Sequence, residues 1–128
     1  MVHVSAAIGT INYAVSISSG HHQLSADEPA ERGGGNVGPS PFELYCAGLA
    51  ACTAITLRMY AERKQWPLRD VKVDVQLTRD GNQPSISRVL KFAGDLTSDQ
   101  VARLADIAER TPVTLAVKQG VPVTTSVG

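Results

Sequence analysis

Two cysteines in one apolar stretch are the residues of this chain best suited to carry chemistry. Cys46 and Cys52 lie within residues 44–57, where almost every other side chain is apolar or small. A thiolate is a nucleophile, so a cysteine whose thiolate is stabilised could react with an electrophile. A cysteine in an apolar helix is more often a small packing residue. The elements around the two thiols must decide between these interpretations.

The spacing of the two cysteines argues against a disulfide between them. On one helix the Cα atoms of Cys46 and Cys52 lie about 9 Å apart along the axis, which is beyond the reach of a disulfide. We therefore predict that they stay unbridged and that Cys46 is a packing residue. Cys52 lies about three turns after the helix start, where the macrodipole has little effect. Its thiolate therefore needs a side-chain cation nearby in space.

Four basic residues are candidates for that cation. Arg58 follows Cys52 on the same helix, and at about 100° per residue it points to a different side. His21, His22 and Arg32 come from segments that could fold over the helix. In a strand the two adjacent histidine rings lie on opposite faces, so at most one of them could face the thiol.

The helix that carries both cysteines has clear start signals. A glycine-rich stretch, Gly33–Pro39, comes directly before it and predicts a loop. Ser40 is the expected N-cap, Pro41 fits the first helical position, and Glu43 completes a Ser-x-x-Glu capping box. The helix is expected to run to about Lys64, because Pro67 then stops it.

Alternation of apolar and polar residues predicts the strands, and helical spacing predicts two further helices. The predicted elements are strands at residues 2–8, 11–17 and 21–26, the central helix, a strand pair at 71–77 and 86–92 joined by a turn at Asp80-Gly81, a helix capped at Thr97, a helix from Pro112 to Lys118, and a last strand at 121–127. This order, ββ(β)αββααβ, predicts an α+β fold with antiparallel strands in one domain, residues 1–128.

Composition excludes several classes of function. The 12 basic and 12 acidic residues cancel, and no basic patch supports nucleic-acid binding. The first residues lack the features of a secretory signal, and the apolar run at 44–57 is too short to span a bilayer. We expect a cytoplasmic protein with no nucleic-acid or membrane partner, whose cysteines are thiols.

The sequence predicts no cofactor and no metal site. Gly33, Gly35 and Gly38 match G-x-G-x-x-G, but Pro39 follows and no βαβ unit encloses the glycines. The three histidines lack the spacing of a metal-ligand set.

The stretch from the glycine loop to the end of the helix resembles a known family. Residues 33–68 read GGGNVGPSPFELYCAGLAACTAITLRMYAERKQWPL, which is similar to the signature of the OsmC/Ohr family of thiol-dependent hydroperoxide reductases. In that family a cysteine at the place of Cys52 attacks the peroxide. The resemblance implies an intertwined homodimer, with antiparallel sheets around a long buried central helix and active sites at the subunit interface. Possible pocket residues are His22, Arg32, Phe42, Glu43, Cys46 and Thr111.

The chain departs from the family's pattern at three helper positions. Thr111 stands where the family has its resolving cysteine, so the usual intramolecular disulfide cannot form. Phe42 occupies the position of the peroxidases' glutamate, and Glu43, one residue on, looks like a cap. The family's active-site arginine follows a glycine near the second strand, and here that pair is Gly9-Thr10.

The resemblance therefore implies two alternative functions. The first is a one-cysteine reductase of organic hydroperoxides, in which an external thiol reduces the oxidised Cys52. The second is a protein without peroxidase activity that binds a small apolar or electrophilic ligand in the same interface pocket. A dimer with a purely structural role is the remaining interpretation.

Overall fold

The chain folds into two antiparallel sheets and three α-helices. The computed structural model describes residues 1–79, 81 and 83–128, and within them the elements follow the order βββαββαα. The chain divides into two units, Met1–Tyr45 and Cys46–Gly128. The boundary between the units falls inside the longest helix, α1 (Pro41–Lys64).

The first unit contains a three-stranded sheet. Strands β1 (Ser5–Ile8), β2 (Val15–Ser19) and β3 (His22–Ala26) pair in that order, all antiparallel. A short 3₁₀ turn at Ala30–Arg32 follows in the loop that leads to α1.

Three details of this sheet differ from the prediction, and the first is that β1 begins at Ser5 and not at residue 2. Strand β2 begins at Val15, because Ile8 pairs with Val15 and residues 9–14 form the connecting loop; Ile11 is therefore outside the strand. His21 lies in the tight turn before β3, since Ser19 pairs with His22. The expectation that the two histidine rings lie on opposite faces is wrong for this reason: the rings contact each other, with centroids 4.7 Å apart and planes tilted by 37°.

Both ends of α1 lie where the sequence predicts them. The N–H of Ser40 donates to Glu43 at 2.9 Å and the N–H of Glu43 donates to the Ser40 hydroxyl at 3.3 Å, which is the predicted capping box. At the other end Gln65 adopts a left-handed conformation. The N–H groups of Gln65 and Trp66 bond back to the last turn, so the chain leaves the helix at Lys64.

The second unit packs one face of α1 in its core. Leu49, Thr53, Leu57 and Ala61, each four residues apart, are the buried residues of α1. Strands β4 (Leu68–Thr78) and β5 (Ser85–Gly94) form an antiparallel pair. The core cluster consists of Leu57, Leu104 and Ala108, surrounded by Tyr60, Trp66, Val71, Leu90, Phe92, Leu96 and Ile107. The predicted turn residue Asp80 lies outside the described residues.

Two capped helices complete the second unit. Helix α2 (Ser98–Ala108) begins with the predicted capping box, in which Thr97 and Gln100 exchange hydrogen bonds at 3.0 and 3.1 Å. Helix α3 (Pro112–Gln119) has Thr111 as its N-cap, and Gly120 ends it with a positive φ of 77°. The capped starts follow the local sequence because the side-chain acceptors satisfy first-turn N–H groups.

The strand predicted at residues 121–127 does not form. These residues carry no regular secondary structure, and Val121 and Val123 are exposed. Their β-branched side chains suit a sheet, but a strand also requires a neighbouring edge for its N–H and C=O groups. Within the described part of the chain, no strand pairs with them.

Helix α1 is longer than the apolar run counted in the sequence. Among the described residues it is the one helix long and apolar enough to cross a membrane by length and composition alone. The core helix of a soluble protein passes the same test, and α1 supplies the buried core residue Leu57.

Candidate active site

Cys52 lies in the middle of α1, half-buried, with three hydrogen-bonding groups close to its sulfur. One is the Thr56 hydroxyl, one turn further along the same helix, whose Oγ1 lies 3.9 Å from Cys52 Sγ. The other two come from the start of α3: the hydroxyl of Thr111 and the backbone N–H of Val113. Both cysteines are free thiols, in agreement with the predicted lack of a bridge between them.

The sequence at the start of α3 leaves a backbone N–H free to donate a hydrogen bond to a sulfur. First-turn N–H groups of a helix have no partner within the helix, and Pro112 has no N–H at all. Val113 therefore offers the first free N–H after the N-cap. Thr111 fixes this turn by accepting the N–H of Thr114 at 3.2 Å, and its side chain is 1% exposed.

These contacts favour the ionised form of the thiol. Burial raises the pKa of Cys52, but the hydrogen bonds from Val113, Thr111 and Thr56 outweigh it and bring the pKa below its ordinary value. Two of these three donors belong to the start of α3, and one belongs to α1 itself.

An arginine with a largely buried side chain lies next to the start of α3. Arg88 on β5 is 11% exposed, and its guanidinium donates to the hydroxyls of Thr53 at 3.0 Å and Thr114 at 2.9 Å. It also donates to the Ala108 carbonyl at 2.9 Å and to the Glu109 carboxylate at 3.3 Å. Arg88 thereby joins β5 to the helix that carries Cys52 and to the turn that holds the N-cap of α3.

Sequence reasoning missed Arg88, although the sequence contains a signal for it. Ile86, Leu90 and Phe92 were identified as one face of a strand, and Arg88 lies on that same face because side chains alternate along a strand. A charged residue at an inward position must be paired or hydrogen-bonded. The start of α3 was also predicted, but its approach to Cys52 depends on tertiary packing.

Arg58, by contrast, is engaged elsewhere. Its guanidinium donates to the carbonyls of Leu68 and Arg69 at 2.6 and 2.8 Å, at the beginning of β4. Cys46, the other cysteine of α1, is half-buried.

The remaining predicted pocket residues belong to the first unit. Glu43 caps α1, and its hydrogen bonds with Ser40 lower its pKa. Phe42 packs edge-to-face with Tyr45, with ring centroids 6.0 Å apart. His22 begins β3 and Arg32 ends the 3₁₀ turn. The participation of these residues in a pocket with Cys52 stays a prediction.

A buried aspartate organises the glycine loop of the first unit. The carboxylate of Asp27 accepts backbone N–H groups from Glu28 at 2.7 Å, from Tyr13 at 3.0 Å, and from Gly35 and Val37 at 3.2 Å each. A Cβ at Gly34 would overlap the carbonyl of Glu28, so the loop requires glycine there. Within the described residues no group of three or more His, Cys, Asp or Glu side chains could hold a metal ion.

Comparison with known proteins identifies the fold and the family. Residues 33–126 match the family of OsmC-like proteins. An OsmC-like protein from Mycoplasma pneumoniae has a similar structure, with a TM-score of 0.81 and 17% identity over 94% of this chain and 89% of that chain. An organic hydroperoxide resistance protein OsmC from Legionella pneumophila has a TM-score of 0.70 and 24% identity over 93% and 90%. The organic hydroperoxide resistance protein OhrB of Bacillus subtilis has a TM-score of 0.66 and 24% identity over 94% and 92%.

No curated protein matches the chain. At these identities the solved structures establish the fold, an α+β arrangement with antiparallel sheets and a central helix, and the family match covers most of the sequence. The protein belongs to the family of OsmC-like proteins.

Proposed function

We propose that the protein reduces organic hydroperoxides through Cys52, with an external thiol as the reductant. The observation that carries this proposal is the environment of the Cys52 sulfur. The N–H of Val113 and the hydroxyls of Thr111 and Thr56 lower the pKa of Cys52. A lowered pKa raises the fraction of nucleophilic thiolate at a given pH.

The proposed reaction begins with attack of the Cys52 thiolate on the terminal oxygen of the hydroperoxide, the one that bears the hydrogen. The O–O bond breaks, the sulfur keeps that oxygen as a sulfenic acid, and the leaving alkoxide takes a proton to become an alcohol. An external thiol then condenses with the sulfenic acid to a mixed disulfide and releases water. A second external thiol attacks this disulfide, restores Cys52 and leaves as the oxidised reductant.

The need for an external thiol follows from the two other candidate positions. Thr111, in the place of the family's resolving cysteine, presents a hydroxyl to the sulfur. Cys46 lies on the same helix, too far along the axis for a disulfide. A dithiol such as a dihydrolipoyl group, or a low-molecular-weight thiol, would close the cycle.

The names of similar structures support this direction. The Legionella pneumophila and Bacillus subtilis proteins are named organic hydroperoxide resistance proteins. Their identity of 24% shows the fold alone, so the activity of this chain, a role in oxidative stress and a cytoplasmic location are proposals.

We also propose that the protein works as a homodimer. Gly48, Ala51, Ile55 and Met59 lie on the side of α1 opposite the buried residues and are exposed in the chain. Ile55 and Met59 are 54% and 57% exposed. An apolar helix face of this kind is a typical contact surface between subunits.

One feature of the first unit favours the alternative of ligand binding. A cavity of about 340 Å³ lies beside its sheet and is lined mainly by apolar side chains: Ile8, Tyr13, Val15, Ala26 and Pro41, with Asp27 and Glu28. Its size falls in the range of small-molecule sites. In this alternative the protein binds a small apolar or electrophilic molecule and consumes no peroxide.

The consumption of cumene or tert-butyl hydroperoxide, measured with several thiol donors, separates the two functions. Wild-type protein should consume hydroperoxide, and Cys52→Ser should fall to the uncatalysed rate while keeping its fold, since the two side chains are close in size. Cys46→Ala should keep most of the activity. A wild-type rate equal to that of Cys52→Ser with every donor would eliminate the reductase and leave the binding protein.

A further inference from the structure

Arg88 has all the hydrogens of its two terminal nitrogens engaged. Nη1 donates to Thr53 Oγ1 and Thr114 Oγ1, and Nη2 donates to the Ala108 carbonyl and the Glu109 carboxylate. Glu109 is shared with Lys118, whose Nζ lies 2.8 Å from its other oxygen. The positive charge of Arg88 is therefore held in one orientation, with one N–H directed at Thr114.

The Thr114 hydroxyl is hydrogen-bonded both to Arg88 and to the hydroxyl of Thr111. The Oγ1 atoms of the two threonines are 2.6 Å apart, and either could donate. Thr114 Oγ1 already accepts from Arg88, and its other acceptor, the Ala108 carbonyl, is further away at 3.2 Å. The Ala108 carbonyl has two lone pairs and can accept from both Arg88 and Thr114. An ionised Cys52 sulfur only accepts, so Thr111 can donate to it only when the Thr114 proton lies on Thr111.

With that assignment, the hydroxyl proton of Thr111 points at the sulfur. Thr111 Oγ1 accepts from both the N–H and the hydroxyl of Thr114, which uses its two lone pairs. Its remaining donor is free for Cys52, the neighbour with which its side chain is hydrogen-bonded. All donors then run one way, from guanidinium to Thr114 to Thr111 to sulfur, and such chains polarise one another.

We propose that Arg88 is a positioning residue for Cys52, and that it acts through the hydroxyls of Thr114 and Thr111. This inference rests on the proposed role of Cys52 as a reactive thiolate. Arg88 supplies, from β5 and through two hydroxyls, the cationic influence that the family's Gly-Arg pair would bring. Thr111 is then a required member of this series of hydrogen bonds. A cysteine could not replace it, because sulfur is a weak hydrogen-bond acceptor and donor.

A purely architectural role for Arg88 makes a different prediction. If Arg88 only joins β5 to its neighbours, removing either threonine partner should affect stability and leave the ionisation of Cys52 alone. Substitutions of Thr53 and Thr114 can be compared to distinguish the two roles of Arg88. Both threonines are buried, and both accept from Arg88 Nη1 at similar distances, but only Thr114 contacts Thr111.

The test is the pH dependence of Cys52 alkylation by iodoacetamide, measured in a Cys46→Ala background so that one thiol reacts. Thr114→Val and Arg88→Met should move the profile to higher pH and slow alkylation at pH 7 by about tenfold, which corresponds to one unit of pKa. Thr114→Ser, which keeps the hydroxyl, should restore the wild-type profile, and Thr53→Val should stay within about twofold of it.

Equal profiles for Thr114→Val and Thr53→Val, whether shifted or unshifted, would overturn the proposal. If Arg88→Met fails to fold, the comparison of Thr114→Val with Thr53→Val still tests the proposal. The measurement uses no peroxide, so it is independent of the proposed reductase activity. Wild-type protein that shows the predicted pattern but consumes no hydroperoxide would contradict the proposed function and support the relay from Arg88.

Discussion

The groups that bond to the Cys52 sulfur carry no formal charge. A thiolate is commonly stabilised by a nearby cation. Within the part of the chain that the structure describes, the groups that bond to this sulfur are one backbone N–H and two threonine hydroxyls. The hydroxyl of Thr111 is therefore more than a substitute for a lost thiol. It caps α3 and contacts the sulfur at the same time.

The proximity of Thr111 to Cys52 makes a direct prediction for the variant Thr111→Cys. Peroxide treatment should convert this variant to an intrachain disulfide with Cys52, because the side chain at 111 already reaches the sulfur. Mass spectrometry of peptides under non-reducing conditions detects the bridge. Thr114→Cys, one turn further into α3, is the matched control and should not form it. Oxidation of Cys52 in Thr111→Cys without a bridge would show that position 111 does not face the sulfur.

At the scale of elements, local signals were predicted well and long-range ones were not. The capping boxes at Ser40 and Thr97 and the N-cap at Thr111 depend on residues three positions apart, so the sequence contains all the information for them. Pairing between distant segments decides where β2 begins and whether residues 121–127 form a strand. The composition of one segment does not specify its pairing partner.

The site shows the same division between local and long-range information. Cys52 was proposed as the reactive thiol from its place in a recognisable helix, and Thr111 as its neighbour from a matching segment. Arg88 was missed because its partners, Thr53 and Thr114, lie 35 and 26 residues away in the chain. Only the fold brings β5, α1 and α3 to one guanidinium.

The loop between β3 and α1 should depend on the charge of Asp27. Burial raises the pKa of Asp27, but the backbone N–H groups of Val37, Glu28, Tyr13 and Gly35 outweigh it and lower the pKa below 3.8. A lowered folded pKa means that this carboxylate contributes stability above the unfolded pKa and loses it as pH falls through the folded value.

Asp27→Asn should therefore be destabilised at pH 7, and the difference from wild type should shrink as the pH is lowered below about 4. Urea unfolding at pH 7 and at pH 3 measures both quantities. Asp70→Asn is the control, because the Asp70 side chain is 78% exposed, and it should unfold as wild type at both values. A constant difference between Asp27→Asn and wild type would show that the carboxylate charge is not what holds the loop.

At the scale of the whole molecule, the exposed apolar face of α1 is the surface through which we propose that two chains pair. A homodimer that covers it on both subunits should bury more than about 2,000 Å² in total, as obligate dimers do. Light scattering at low micromolar concentration should give the mass of two chains for wild type.

Substitutions on α1 test whether this face is the contact surface. Ile55→Lys should shift the population to monomers, because it places a charge in an apolar interface. Val89→Lys, on an apolar residue of β5 that is equally exposed at 54%, is the matched control and should remain dimeric. A wild-type monomer, or a dimer that both substitutions leave intact, would contradict the proposed interface.

The central claim is that Cys52 alone attacks the hydroperoxide, and one measurement tests it most directly. Reduced wild-type protein is mixed with one equivalent of cumene hydroperoxide in the presence of dimedone, which traps sulfenic acids, and the modified residue is located by mass spectrometry. We predict a dimedone adduct on Cys52, an equal amount of cumyl alcohol, an unmodified Cys46 and no bridge within the chain. An adduct on Cys46, a disulfide between the two cysteines, or hydroperoxide left unconsumed would contradict the account.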